Sequence, residues 1–302
     1  FEFTSKLTAQ QLFKPCYGSF IIELNGDAKQ SENVIGITRN EYKVMNFDYS
    51  ISLDSLQRTW ESKLELVFPC RIKTTEATPQ EYSYPTTKKL APAIKAAKPR
   101  VLIPVFPGTN CEYDTARAFE KAGAVAETIV IRNMASGDIE SSVEQIEKSI
   151  KNSQIIMIPG GFSGGDEPEG SGKFITAFFR NPKIKDAVHE LLKNRDGLML
   201  GICNGFQALI KLGLVPYGHI VDMEDNSPTL TFNTSGRHQS MMVNTRISSN
   251  KSPWLAGCEV GDIHRIAISH GEGRFVASPE LIKQLADNGQ IATQYVDLSG
   301  AP

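Results

Sequence analysis

The sequence is short of cysteine, and the few it has form no pattern. Cys16, Cys70, Cys111, Cys203 and Cys258 are odd in number, widely spaced and without a Cys-x-x-Cys pair. A disulfide framework and a thiolate-rich zinc site are therefore not expected, and no metal is assigned to any residue. Neither sign of charge prevails, since 32 basic against 34 acidic residues leave a formal net charge of −2. Without a basic face, no nucleic-acid partner is expected. No apolar run approaches the ~20 residues that span a bilayer, so no membrane partner is expected. The opening FEFTSKLTAQ lacks the charged head and apolar stretch of a secretory leader. Together these absences point to the reducing cytoplasm, where an important cysteine is more often a nucleophile than half of a disulfide.

What is present is ordinary globular material, 40% hydrophobic and 22% charged. A length of 302 residues suits roughly two domains. Composition shifts over 74–99, which is rich in Thr, Pro, Ala and Lys and has no steady apolar period, so this stretch reads as a linker. Residues 1–73 read as a partial α+β domain. SFIIELNG, VIGITRN and YKVMNFDYSI read as strands, and SLDSLQRTWESKLELVF as a helix capped by Ser52. Leu53, Leu56, Trp60, Leu64 and Val67 recur at near-helical spacing and are expected to be core.

Residues 100–302 alternate. VLIPVF, VAETIVI, IIMIPGG and GLMLGIC read as buried strands, and the segments between them as helices. The stretch ITAFFRNPKIKDAVHELLKN is expected to be helical with an interruption at Pro182. This order predicts a parallel sheet with helices on both faces, and sites beyond the carboxyl ends of its strands. Beyond residue 218 the segments LTFNTSGRHQSMMVNTRI and HRIAISHGEGRF read as antiparallel strands with turns.

The most informative segment is LMLGICNGFQALI. An apolar strand stops at Ile202, Cys203 follows, and a helix starts at once. Gly201 and Gly205 flank the cysteine as G-x-C-x-G, the thiol form of a nucleophile elbow. The glycines keep side chains out of a crowded turn, and the helix N-terminus stabilises a thiolate. A free cysteine is more commonly a small buried hydrophobe closing a core strand. The glycines, the strand–helix junction and a second loop favour chemistry here. That loop, in IIMIPGGFSGGDEPEGSG, follows another strand end. Its amides at Gly160, Gly161 and Phe162 could serve an oxyanion, together with the amide of Asn204. Read alone, such a loop could equally cradle a phosphate or be merely flexible.

PGGFSGGD followed by GICNGFQ resembles the class I glutamine amidotransferases. PGTNCEYDTARAFEKAG, LTFNTSGRHQS and ISHGEGRF bring the resemblance closer to the glutaminase domain of the phosphoribosylformylglycinamidine synthase family. IGITRN and SLDSLQRTWESKLELVFP resemble the tail of the synthetase portion of its long single-chain form, an aminoimidazole-ribonucleotide-synthetase-like domain. The resemblance implies a flavodoxin-like three-layer α/β/α glutaminase domain over 100–302. It also implies that residues 1–73 are an incomplete synthetase piece, so that the chain is expected to be part of a larger enzyme.

The resemblance further implies that Cys203 attacks the side-chain amide of glutamine. Ammonia would pass to the synthetase portion for ATP-dependent amidation of formylglycinamide ribonucleotide. ATP and magnesium then belong to the complete enzyme, and no cofactor to these residues. Gly161, Phe162 and Asn204 would supply or frame the oxyanion hole. Gln207, one helical turn beyond the nucleophile, would face the glutamine, and Asn233 would lie near it. His270 and Glu272, two apart on a strand, could complete a triad. In the family, however, a later His-x-Glu motif carries that role, and the chain is expected to stop before it. His270 is therefore expected to lie beside the site without bonding Cys203. Two other readings remain: a γ-glutamyl hydrolase on the same sheet, and a module that binds glutamine without turning it over.

Overall fold

The computed structural model describes residues 1–26, 33–67, 79–87, 91–92, 95–165 and 171–302. Cys70, parts of the 74–99 stretch and residues 166–170 of the glycine-rich loop lie outside them. The chain divides into two compact units, Phe1–Thr74 and Thr75–Pro302. Among the described residues, no helix is long and apolar enough to cross a membrane.

The first unit holds β1 (Glu2–Phe3), α1 (Ala9–Leu12), β2 (Gly36–Ile37), β3 (Lys43–Asn46), β4 (Tyr49–Ser52) and α2 (Leu53–Ser62). Its strands form one sheet in the order β2-β1-β3-β4. The Ser52 side chain caps α2 by accepting from the Ser55 amide at 3.1 Å. Three sequence expectations need correction here. SFIIELNG forms no strand, because Phe20, Ile21 and Ile22 are exposed with no partner strand among the described residues. YKVMNFDYSI is a hairpin of β3 and β4, turning at Phe47, whose φ is 54°. The apolar side of the α2 segment is also uncovered, with Trp60 78% and Val67 70% exposed.

The second unit contains β5 (Arg100–Val105), α3 (Glu112–Lys121), β6 (Val125–Val130), α4 (Asp138–Asn152), β7 (Ile155–Ile158), α5 (Lys173–Phe179), α6 (Pro182–Lys193), β8 (Leu198–Gly201) and α7 (Asn204–Leu212). β5, β6, β7 and β8 make an all-parallel sheet in the order β6-β5-β7-β8. Side-chain alternation along β5 divides the core into two layers. Leu102 packs with Val143, Ile146, Ile175, Phe179, Ile184 and Leu209, from α4 to α7. Val101 and Ile103 point the other way, into a smaller cluster with Ala116 and Phe119 of α3. All three β5 residues are fully buried, and each such side chain stabilises the fold by about 1.5–3 kcal/mol. The unit is thus a three-layer α/β/α sandwich. Helix α6 begins where Pro182 requires a start, with Asn181 Oδ1 accepting from the Lys183 amide at 3.0 Å.

After α7 come α8 (Leu214–Tyr217), β9 (Thr229–Thr231), β10 (Gln239–Ile247), β11 (Ile263–His270), β12 (Arg274–Val276), α9 (Pro279–Asp287) and β13 (Thr293–Val296). β11-β10-β13 form an antiparallel sheet, and β12 pairs with β9. Residues 82–86 lie along this sheet. Tyr84 bridges Ser249, and Arg246 donates to Glu81 and to the Tyr82 carbonyl.

The sheet order carries the functional geometry. β5 is flanked by β6 on one side and by β7, then β8, on the other. The chain therefore leaves β5 and β7 in opposite directions, and their loops open a crevice at the carboxyl edge of the sheet.

Candidate active site

Cys203 occupies the turn between β8 and α7. Its backbone has φ 53° and ψ −113°, a conformation that costs a non-glycine residue energy. Tight packing enforces it. A Cβ on Gly201 would stand 2.6 Å from the Gly205 carbonyl oxygen, and one on Gly205 would stand 2.1 Å from that of Ile158. Both glycines are therefore steric requirements of the elbow. Cys203 is exposed, at the N-terminus of α7.

The loop after β7 runs beside it. A Cβ on Gly160 would lie 3.1 Å from the Cys203 Cβ and 3.6 Å from the Cys111 sulfur. Gly161, with φ 139°, is pressed against the loop after β5. A Cβ there would be 2.5 Å from the Gly108 carbonyl oxygen. Thr109 and Gly161 form an isolated antiparallel bridge between the two loops. Within it the Phe162 amide donates to the Gly108 carbonyl at 2.9 Å, and the Asn110 amide to the Gly160 carbonyl at 3.3 Å. The Phe162 amide is thus engaged, contrary to the expectation that it is free for an oxyanion. The Gly161 amide has no such backbone bond among the described residues. The Phe162 side chain stands exposed at the rim.

Asn204 and Gln207 are buried. Asn204 Oδ1 accepts from the Ser163 amide at 3.2 Å, which ties the β7 loop to the elbow helix. Asn204 Nδ2 donates to Gln207 Oε1 at 3.2 Å, and Gln207 Nε2 donates to the Glu272 carbonyl at 3.2 Å. Gln207 therefore braces α7 against the turn after β11, where the sequence had it facing the ligand. Asn233 is a second brace. Its Nδ2 donates to the carbonyls of Arg237 and His270, both at 2.8 Å. Its Oδ1 accepts from the Gly273 amide at 3.3 Å and from His270 Nδ1 at 2.9 Å.

His270 makes no hydrogen bond to Cys203. Its ring packs over Gly273, where an added Cβ would stand 2.2 Å from it. With Nδ1 protonated towards Asn233, Nε2 is a buried acceptor with no partner among the described residues. Glu272 does not touch the ring by hydrogen bond. Its Oε2 accepts from Ser171 Oγ at 2.6 Å. The other histidines are engaged elsewhere or set on strands away from this turn. His189 Nε2 accepts from the Ile220 amide, His219 meets the Tyr217 carbonyl and His238 meets Ser269.

Cys111, at the start of α3, is the residue that sequence reasoning passed over. Although Cys111 is exposed as a residue, its thiol pKa is pushed up, first by desolvation of the group and then by electrostatic interaction with Cys203, Asp114 and Glu112. The signal was available: PGTNC follows β5 directly, beside the crevice where the strand order reverses.

A strained cysteine between a parallel strand and a helix, facing a glycine loop at the crevice of an α/β/α sheet, defines a cysteine-nucleophile acyl-transfer fold. The family model for the CobB/CobQ-like glutamine amidotransferase domain matches residues 98–302, and the chain belongs to that family. Phosphoribosylformylglycinamidine synthase subunit PurQ of Methanococcus maripaludis is 34% identical over 204 residues, covering 68% of this chain and 69% of the relative. The subunit of the same name from Aquifex aeolicus is 32% identical over 196 residues, covering 65% and 73%. A solved structure of PurLQS from Thermotoga maritima is 28% identical, covers 66% of this chain and 76% of its own, and superposes with a TM-score of 0.48.

Proposed function

We propose that this chain is the glutaminase of a phosphoribosylformylglycinamidine synthase in purine biosynthesis, hydrolysing glutamine to glutamate and delivering the ammonia to a synthetase portion. The observation that carries this is Cys203 at its elbow, with the Gly160–Gly161 loop against its Cβ. The family match and the PurQ relatives supply the substrate. Cys203 attacks the carboxamide carbon of glutamine. Negative charge develops on the amide oxygen and meets the Gly161 amide and the N-terminal end of α7 at Asn204. The carbon–nitrogen bond breaks, ammonia leaves with a proton from a general acid, and a glutamyl thioester remains. Water then releases glutamate and regenerates the thiol.

In this reading Phe162 frames the hole, while Gln207 and Asn233 position the loops around the substrate. His270 is a wall residue whose ring is fixed by Asn233, and Glu272 is held by Ser171. None of the five histidines here hydrogen-bonds the nucleophile. The amidation uses ATP and magnesium in the synthetase portion, and glutamine hydrolysis itself uses neither. Residues 1–73 are read as a piece of that portion, joined to the glutaminase by 74–99 in a long single-chain enzyme of the cytoplasm.

The test is glutamate release from glutamine by the full enzyme, with folyl-polyglutamate as the competing substrate. Turnover of glutamine that is lost in Cys203→Ala supports the reading. Turnover of folyl-polyglutamate alone, or binding of glutamine without release of glutamate, overturns it.

A further inference from the structure

We infer that Cys258, Asp262 and His264 form a binding site for a borderline-soft divalent cation of the zinc or cobalt(II) type, separate in sequence and chemistry from the Cys203 elbow. A sulfur, a carboxylate oxygen and an imidazole nitrogen from these residues all lie within 4.8 Å of one another. The local fold explains the convergence. Cys258 is set by its amide donating to the Leu255 carbonyl at 2.9 Å and by its carbonyl accepting from Asn250 Nδ2 at 3.3 Å. The chain then turns through Gly261, with φ 103°, whose amide donates to the Ile247 carbonyl of β10 at 2.9 Å. The Asp262 amide closes this turn onto the Glu259 carbonyl at 3.1 Å. Asp262 Oδ2 accepts from the Glu259 amide at 2.8 Å, which orients the carboxylate. Extended backbone into β11 puts Asp262 and His264 two residues apart on one face. The β10–β11 ladder holds that face in register, with His264 opposite Thr245.

Spacing and charge both point to an ion. Among the described residues, no hydrogen bond or ion pair joins the three donors to one another, and none gives Asp262 a cationic partner. Donors that converge without touching leave room for something between them. Tetrahedral bonds of ~2.0–2.3 Å hold ligand atoms roughly 3.3–3.8 Å apart, so the three side chains need close by only about an ångström. A thiolate and a carboxylate with a neutral imidazole carry two negative charges, which a divalent cation neutralises. Sulfur and imidazole donors select zinc-like ions over magnesium or calcium, which take oxygen ligands. Three protein ligands leave the fourth position to water. The lack of a Cys-x-x-Cys pair in the sequence excludes only the thiolate-rich kind of site. Here a turn and a strand bring the ligands together.

The test is titration of the full chain with cobalt(II) ions in a buffer free of thiols, read by the sulfur-to-cobalt charge-transfer band and the tetrahedral visible bands. One saturating equivalent is expected, displaced by zinc. The charge-transfer band should vanish in Cys258→Ser and persist in Cys203→Ser. His264→Ala, an exposed position where folding is not at stake, should weaken cobalt binding at least about tenfold, since a direct ligand matters no less than its outer-sphere partner. Absence of a saturable band in the unaltered chain, its survival in Cys258→Ser, or unchanged affinity in His264→Ala would overturn the site.

Discussion

A Cβ placed on Gly205 would lie 2.1 Å from the carbonyl oxygen of Ile158, so the elbow helix and the β7 strand are in backbone contact at this point. Alanine normally favours a helix over glycine by roughly 0.5–1 kcal/mol. Here the overlap is with backbone, which cannot rotate away, and overpacking costs about 1–3 kcal/mol or more. Gly205→Ala is therefore expected to lower the urea midpoint and remove glutaminase activity. Gly257→Ala, where a Cβ meets nothing within 4 Å, should leave the midpoint unchanged. Equal midpoints for the two variants would contradict the steric account.

Asn233 joins the 233–237 turn to the His270 turn through both ends of its amide. His270 is held by that amide and makes no bond to the nucleophile. In the complete enzyme, His270→Ala should cost no more than about a hundredfold in kcat, the scale of a misplaced wall. Cys203→Ala removes the covalent path and should cost on the order of 10⁶-fold. Equal losses in the two variants would make His270 the base.

His189 has its pKa lowered, first by burial and then by the positive charges of Lys193, Lys185 and His219. Its Nε2 accepts the Ile220 amide at 2.9 Å, which requires the neutral ring. The unfolded chain therefore binds this proton more readily than the folded one. The contribution is present above the ordinary histidine value of about 6.5 and is lost as pH falls through the depressed folded value. Stability by urea denaturation should decline as pH falls below about 6.5. His189→Gln, which keeps an acceptor but does not titrate, should flatten that decline. An unchanged slope in His189→Gln would assign the pH dependence to other groups.

The parallel core was legible because VLIPVF and IIMIP are continuous apolar runs, which only a sheet covered on both faces accommodates. The elbow was legible because two glycines around a cysteine carry a steric meaning in the sequence itself. What escaped was non-local. Nothing in PGTN announces that Thr109 will bridge Gly161, or that this bridge engages the Phe162 amide. For Gln207 the family resemblance implies a place near the glutamine, one helical turn beyond Cys203, but a motif position does not give its partner, the Glu272 carbonyl 65 residues on. The hairpin at Phe47 was missed because a bulky residue there holds a positive φ that turn chemistry reserves for Gly or Asn.

The central claim is that Cys203 is the nucleophile, and the most direct measurement is site-resolved labelling by a glutamine analogue carrying an electrophile at the amide position. Cys203 and Cys111 are both exposed at helix N-termini, but Cys203 holds the strained elbow backbone beside the Gly160–Gly161 loop, whereas desolvation and neighbouring charge push the Cys111 thiol pKa up. Peptide mass spectrometry after limited reaction of the folded protein should find the label on Cys203 well before Cys16, Cys70, Cys111 or Cys258, and excess glutamine should protect it. Labelling spread evenly over the five cysteines, or concentrated on Cys111 and indifferent to glutamine, would contradict the account.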